Sequence, residues 1–202
     1  MNTMMYHFNY FIILISGIFD SLAIKTKNKY GINFNNKHPS AISLYKNAGK
    51  DFLKALRKND PKLHRHRSKY AYFINLIHEF RELLIHREML DMQNFTPSMD
   101  EKKHIISAVE VNEKTINLIK QCGDKIREYD NYTEWGVFNY HNKYFISPFC
   151  FAKTATKTLI DFSNKYLELL GYCNFIDELQ KKNNNDPFLK DLKIFETNRL
   201  GF

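Results

Sequence analysis

Glycine and proline are scarce in this 202-residue chain, at 7 and 5. So little turn-forming material argues against a fold of many short strands and favours long helices. Cysteine is sparse as well. Cys122, Cys150 and Cys173 are far apart, odd in number and without CxxC spacing. That excludes a disulfide framework or zinc knuckle and fits a reducing, cytoplasmic setting. No glycine-rich phosphate loop is present, so no nucleotide cofactor is expected. His78, Glu82 and His86, at i, i+4 and i+8, come nearest to a ligand set. A catalytic metal site draws a further ligand from elsewhere, and none is evident, so no metal is expected.

What is present is the balance of a soluble globular protein, with 44% hydrophobic and 26% charged residues. Such a length can bury a sizeable core in one domain. The formal net charge is +8, which favours an anionic partner such as nucleic acid, or an acidic protein. A coding bias toward Lys, Asn, Ile and Tyr gives the same excess. Residues 11–19 (FIILISGIF) imitate the core of a secretion signal, but no Lys or Arg precedes them and Asp20 closes them. The run is short for a membrane span, and no membrane partner is expected. Phe8, Phe11, Ile12, Ile15, Phe19 and Leu22 fall at helical spacing, as in a buried first helix.

Helical spacing predicts five helices. The first covers about 6–29 and stops at Gly31; the second covers about 39–58. Asp60-Pro61 is an N-cap and first-turn pair for a third, continuous helix over 61–92. Ser98 with Glu101 reads as the capping box of a fourth helix to about 129, with Ile105, Val109, Ile116 and Ile119 on its apolar stripe. Residues 131–147 are aromatic and loosely alternating, as in a short hairpin or arm. Pro148 opens a fifth helix to about 170. The expected architecture is an all-α antiparallel bundle over 1–180, with the aromatic insertion, then a linker and short tail over 181–202.

On the third helix, Tyr70, Phe73, Ile74, Ile77, Phe80, Leu84 and Ile85 share an apolar face, and Arg81 falls near its centre. An arginine cannot neutralise its charge by shedding a proton, so it is almost never buried unpaired. The face therefore meets a carboxylate, a subunit interface or a cleft at that level. His86 lies about 140° from Arg81 around an ideal helix. The two converge only if the helix bends or a two-fold dimer brings two copies together. Glu82 is placed to reach His86 and orient its ring. Upstream, Lys62, Arg65, Arg67 and Lys69 form part of a dense basic segment that either tracks a phosphate backbone or is a solvated helix surface.

Arg81, four residues, then His86, within FRELLIHREML, resembles the R-x4-6-H motif of the HEPN superfamily. The preceding helix pair is similar too, with Phe19–Ala23 in the first helix, and Glu134–Val137, Ser147–Phe149 and Tyr166–Gly171 look like the C-terminal half of a larger, poorly characterised bacterial HEPN branch. The resemblance spans about 6–171. It implies a helical homodimer whose motifs face each other, acting as a metal-independent endoribonuclease of toxin–antitoxin or phage-defence type. Inactive members that bind RNA or protein are the alternative it offers. In the active form, the RNA 2′-OH attacks its own phosphodiester and leaves a 2′,3′-cyclic phosphate. His86 would be acid or base, and Arg81 would hold charge on the phosphorane. Glu82 departs from the Asn, Asp or His usual after the motif arginine and bears on activity rather than fold. A third reading makes the chain a generic helical protein in which Arg81 is simply ion-paired.

Overall fold

The computed structural model describes residues 3–33, 41–86, 92–95, 106–125 and 132–172, a few at segment ends by backbone alone. The expected tail, the 181–186 linker, the Ser98–Glu101 box and the His86 side chain lie outside the described residues. Met1–Tyr166 forms one compact unit and Leu167–Phe202 another.

Six α-helices and a small antiparallel sheet make up the described chain. Helix α1 spans Thr3–Tyr30, and Gly31 stops it at φ +59°. Its buried face, including Phe8, Ile12, Ile15, Phe19 and Leu22, is the one expected, except that Phe11 is only partly buried. Phe19 meets Phe73 and Phe162 edge-on, and Phe8 meets Phe80 and Phe151. Thr26 Oγ1 and the Tyr166 hydroxyl share a buried hydrogen bond of 2.8 Å. Taken whole, α1 is long and apolar enough to cross a membrane, though the FIILISGIF run looks too short; 39% of its most apolar window is buried in this fold.

Helix α2 spans Lys50–Asn59, and residues 41–49 are irregular rather than helical. Here Gly49 sits where a Cβ would overlap the Ser43 carbonyl, so the chain folds back too closely for a helix to run through. Asp60 caps α3 (Pro61–Lys69) as expected, accepting from the Leu63 N–H at 2.9 Å. The long third helix is not continuous. Tyr70 breaks it, its N–H turning back to the Arg67 and Ser68 carbonyls, and α4 runs from Ala71 to His86. Tyr70 is buried against His66 and Phe162, and that packing overrides a stretch with no glycine or proline.

The expected fourth helix is corrected at its start. Met92–Phe95 and Ile106–Val111 are strands β1 and β2, and α5 begins only at Glu113, ending at Lys125. Asn112 caps it, accepting from Thr115 N–H at 2.9 Å. Val109, placed above on a helical stripe, pairs instead with Met92 and Ile146. The aromatic insertion is a hairpin. A 3₁₀ turn (Tyr132–Trp135) leads into β3 (Val137–Tyr140) and β4 (Lys143–Ile146), joined by His141 and Asn142 at φ 48° and 60°. Strand order is β1-β2-β4-β3. The fully buried Trp135 ties the hairpin to the helices through Phe73 and Phe151. Helix α6 spans Pro148–Leu169.

Candidate functional site

A cleft of about 1030 Å³ opens between α1, the irregular 41–49 segment, α4 and the start of α5. Arg81 lines it from α4. Its guanidinium Nη1 donates to Asp20 Oδ2 of α1 at 3.0 Å, with the two side chains 36% and 45% exposed. So the arginine on the oily face meets a carboxylate and a cleft at once. Two helices that are apolar at this level each contribute one charge, and the charges meet at the rim.

One helical turn before Glu82, His78 also faces the cleft. Its ring stacks on Tyr45 at 3.7 Å between centroids and 17° between planes. His78 Nε2 lies 3.8 Å from Glu82 Oε1. Burial holds the His78 imidazole below its ordinary pKa. Glu82 pulls it back up, Arg81 pushes it down, and Asp20 and Glu79 pull it up more weakly. His78 is therefore largely neutral near pH 7, with ring nitrogens able to take or give a proton.

Tyr45 is held by its own segment. The Tyr45 N–H donates to Ser43 Oγ at 3.1 Å, and the Gly49 N–H donates to the Tyr45 carbonyl at 2.8 Å. From α3, Arg67 donates to the Leu44 carbonyl through both Nε, at 2.8 Å, and Nη2. At 4% exposure Arg67 is buried, and burial pushes its pKa down to about 10. The expectation that Arg67 faces a phosphate backbone is corrected, because its donors point into the fold and brace the cleft wall. Lys62, Arg65 and Lys69 on the same helix are exposed, as are Lys54, Arg57 and Lys58 on α2. His66 also turns inward, its ring against Phe162 and its Nε2 2.9 Å from the Phe162 carbonyl.

The cleft is not uniformly basic. Lys27, Arg81 and Lys114 stand beside Asp20, Glu79 and Glu82, and Lys114 pairs with Glu79. Of the expected catalytic residues, Arg81 and Glu82 line this cleft. His86 is the last residue of α4. Asp20, Tyr45 and Lys114 were not singled out as site residues from sequence. Asp20 carried a signal: it is the first Asp, Glu, Lys or Arg in the chain and stands inside an apolar helix, as Arg81 does. Tyr45 and Lys114 carried none, because only the tertiary fold brings them to α4. Among the described residues, no group of three or more His, Cys, Asp or Glu side chains is placed to hold a metal ion. No family model, curated protein or solved structure matches the chain.

Proposed function

We propose that the chain is a HEPN-like protein acting on RNA as a metal-independent endoribonuclease, with the Arg81 cleft as its phosphate-handling site. The observation that carries this reading is Arg81 itself: a permanent, planar cation kept half-exposed at a cleft rim, on the helix that ends at His86. A guanidinium so placed can exchange its carboxylate for a phosphorane oxygen without leaving its position. On one unbroken α-helix, positions 81 and 86 lie about 140° apart. The reading therefore pairs two copies, each supplying part of a shared site. The exposed Lys62, Arg65 and Lys69 would carry the flanking phosphates. Free Cys122 and Cys150 suit a cytoplasmic toxin or defence effector, with or without an antitoxin.

The Arg81–Asp20 pair and the balanced charge of the cleft favour a second reading, a HEPN-like dimer that binds RNA or protein without cleaving it. The deciding experiment is RNA cleavage by the purified chain in EDTA, beside Arg81→Ala and His86→Ala. The ribonuclease reading expects 2′,3′-cyclic ends and a loss of roughly 100- to 1,000-fold in Arg81→Ala. The Arg81–Asp20 pair is more than a third exposed, so the same substitution should cost under about 1 kcal/mol of stability. Folded wild type that retains RNA but leaves it intact would transfer the assignment to the binding module.

A further inference from the structure

The ribonuclease reading leaves one role unfilled. Attack by a 2′-OH and departure of a 5′-oxygen need two proton transfers, one from the nucleophile and one to the leaving group. His86 serves as one of them, and Arg81 keeps its protons throughout. The cleft itself holds a second imidazole. His78 stands three residues before Arg81, about 60° from it around the helix, so both side chains leave α4 on one face. Both line the main cleft, and both line a smaller adjoining hollow with Asp20 and Tyr45.

We infer that His78 is the general base of the Arg81 cleft, taking the proton of the attacking 2′-OH onto a ring nitrogen. The assignment deepens the ribonuclease reading and rests on it. Three observations carry it. First, the ring is held in place. It stacks on Tyr45 at 3.7 Å between centroids, and Asn47 Nδ2 donates to the Tyr45 hydroxyl at 2.9 Å, which fixes the platform from its far end. Second, the ring is reachable: the His78 side chain is 22% exposed and opens on the cleft. Third, the surrounding charges suit a base. Burial keeps the ring neutral near pH 7, the form that accepts a proton. Nε2 lies 3.8 Å from Glu82 Oε1, too far for a hydrogen bond but near enough for the carboxylate to favour an imidazolium once formed. Asp20 and Glu79 add to that pull, and Arg81 opposes it. A phosphorane held by Arg81 offsets the opposition. Lys27 of α1 and Lys114 of α5 complete the charges lining the cleft, Lys114 paired with Glu79.

In the step itself, the 2′-O–H proton passes to His78 as the 2′-oxygen bonds to phosphorus. The P–O5′ bond breaks with its electron pair on the 5′-oxygen, which takes a proton from His86. The products are a 2′,3′-cyclic phosphate and a 5′-hydroxyl, and the His78 imidazolium returns its proton to water.

The pH profile of RNA cleavage in EDTA tests the assignment, with wild type, His78→Gln and His78→Gly. Far-UV circular dichroism checks folding, and an RNA with 2′-deoxy sugars at the cleaved sites measures binding without reaction. In wild type, kcat/KM should fall on the acid side with a midpoint below 6.5. His78→Gln should fold, retain the uncleavable RNA, cleave about 100-fold or more slowly and lose that acid limb. Free imidazole should restore part of the rate to His78→Gly. If wild type cleaves and His78→Gln matches it across the pH range, the assignment is overturned while the ribonuclease reading stands. A slow His78→Gln that keeps the acid limb, with no imidazole rescue of His78→Gly, also overturns it, because the ring then only props the cleft wall. Wild type that cleaves no RNA overturns both.

Discussion

Replacing Gly49 with alanine tests how the cleft wall is built. Gly49 precedes α2 with φ −97°, a conformation open to any residue, so backbone strain is not the issue. Contact is. A Cβ there would overlap the Ser43 carbonyl oxygen and lie 3.0 Å from the Tyr45 carbonyl oxygen. Both obstacles are backbone atoms, and neither can swing aside as a side chain does. Overpacking of this kind costs about 1–3 kcal/mol. Alanine also makes a poorer N-cap than glycine, while its stiffer unfolded chain returns about 0.4–1 kcal/mol. A net loss of about 2 kcal/mol corresponds to a melting temperature lower by roughly 4–8 °C in a chain of this size. Gly31→Ala is the comparison. Gly31 has φ +59° but nothing within 4 Å, so it carries strain without overlap and should cost only about 1–2 kcal/mol. The second readout is the site. Residues 43–45 must move outward in Gly49→Ala, loosening the Tyr45–His78 stack and letting the His78 pKa rise toward its ordinary value. Thermal denaturation and histidine NMR titration read the two effects. A Gly49→Ala protein that melts within about 1 °C of wild type would refute the close-approach argument.

Two further predictions concern the groups around that wall. His78 should titrate below 6.5 in the folded chain, because burial opposes its charge. As pH falls through 6.5 the unfolded chain takes up the proton first, so this group lowers stability on acidification, down to the folded pKa. His64, held low by burial and then by Arg67 and Arg57, acts in the same sense. Arg81→Ala should raise the His78 value and Glu82→Gln should lower it further; NMR titration at or above 6.5 in wild type would contradict the burial argument. Arg67→Met removes both donors from the Leu44 carbonyl and should cost about 1–3 kcal/mol, partly offset by relief of the buried charge. By contrast, Lys62→Ala and Arg65→Ala should leave melting unchanged and weaken RNA retention. If Arg67→Met melted with wild type but lost RNA retention, the structural role given to Arg67 would be wrong.

Legibility in the sequence followed the physics of each segment. Helix α1 and α6 were readable because their buried faces repeat at helical spacing and their ends carry a glycine stop and an opening proline. The Asp60–Pro61 start was readable for the same local reason. The hairpin after Trp135 showed as alternation about a polar centre, although its sheet partners did not. Strand β2 was misread because Ile105, Val109 and Ile116 also fit a helical stripe. A run of β-branched residues ending at Asn112 is a strand followed by a cap, but spacing alone does not separate the two. The break at Tyr70 left no mark, since it arises from packing against His66 and Phe162 rather than from local preference.

The same division explains the candidate site. A charge on an apolar face is visible from one helix, and it demands a partner of opposite sign. Arg81 made that demand, and Asp20, also lodged in an apolar helix, meets it. Which residue answers is a tertiary fact, yet the choice was narrow, because α1 offers a single carboxylate. His78 differs. On its own helix it is one polar residue among several. Its character comes from the ring of Tyr45, and Tyr45 is held in place by a glycine that permits a close fold-back and an arginine that anchors the neighbouring carbonyl. Thus the basic segment is divided in placement: Lys62, Arg65 and Lys69 face solvent, while Arg67 shapes the cleft from behind.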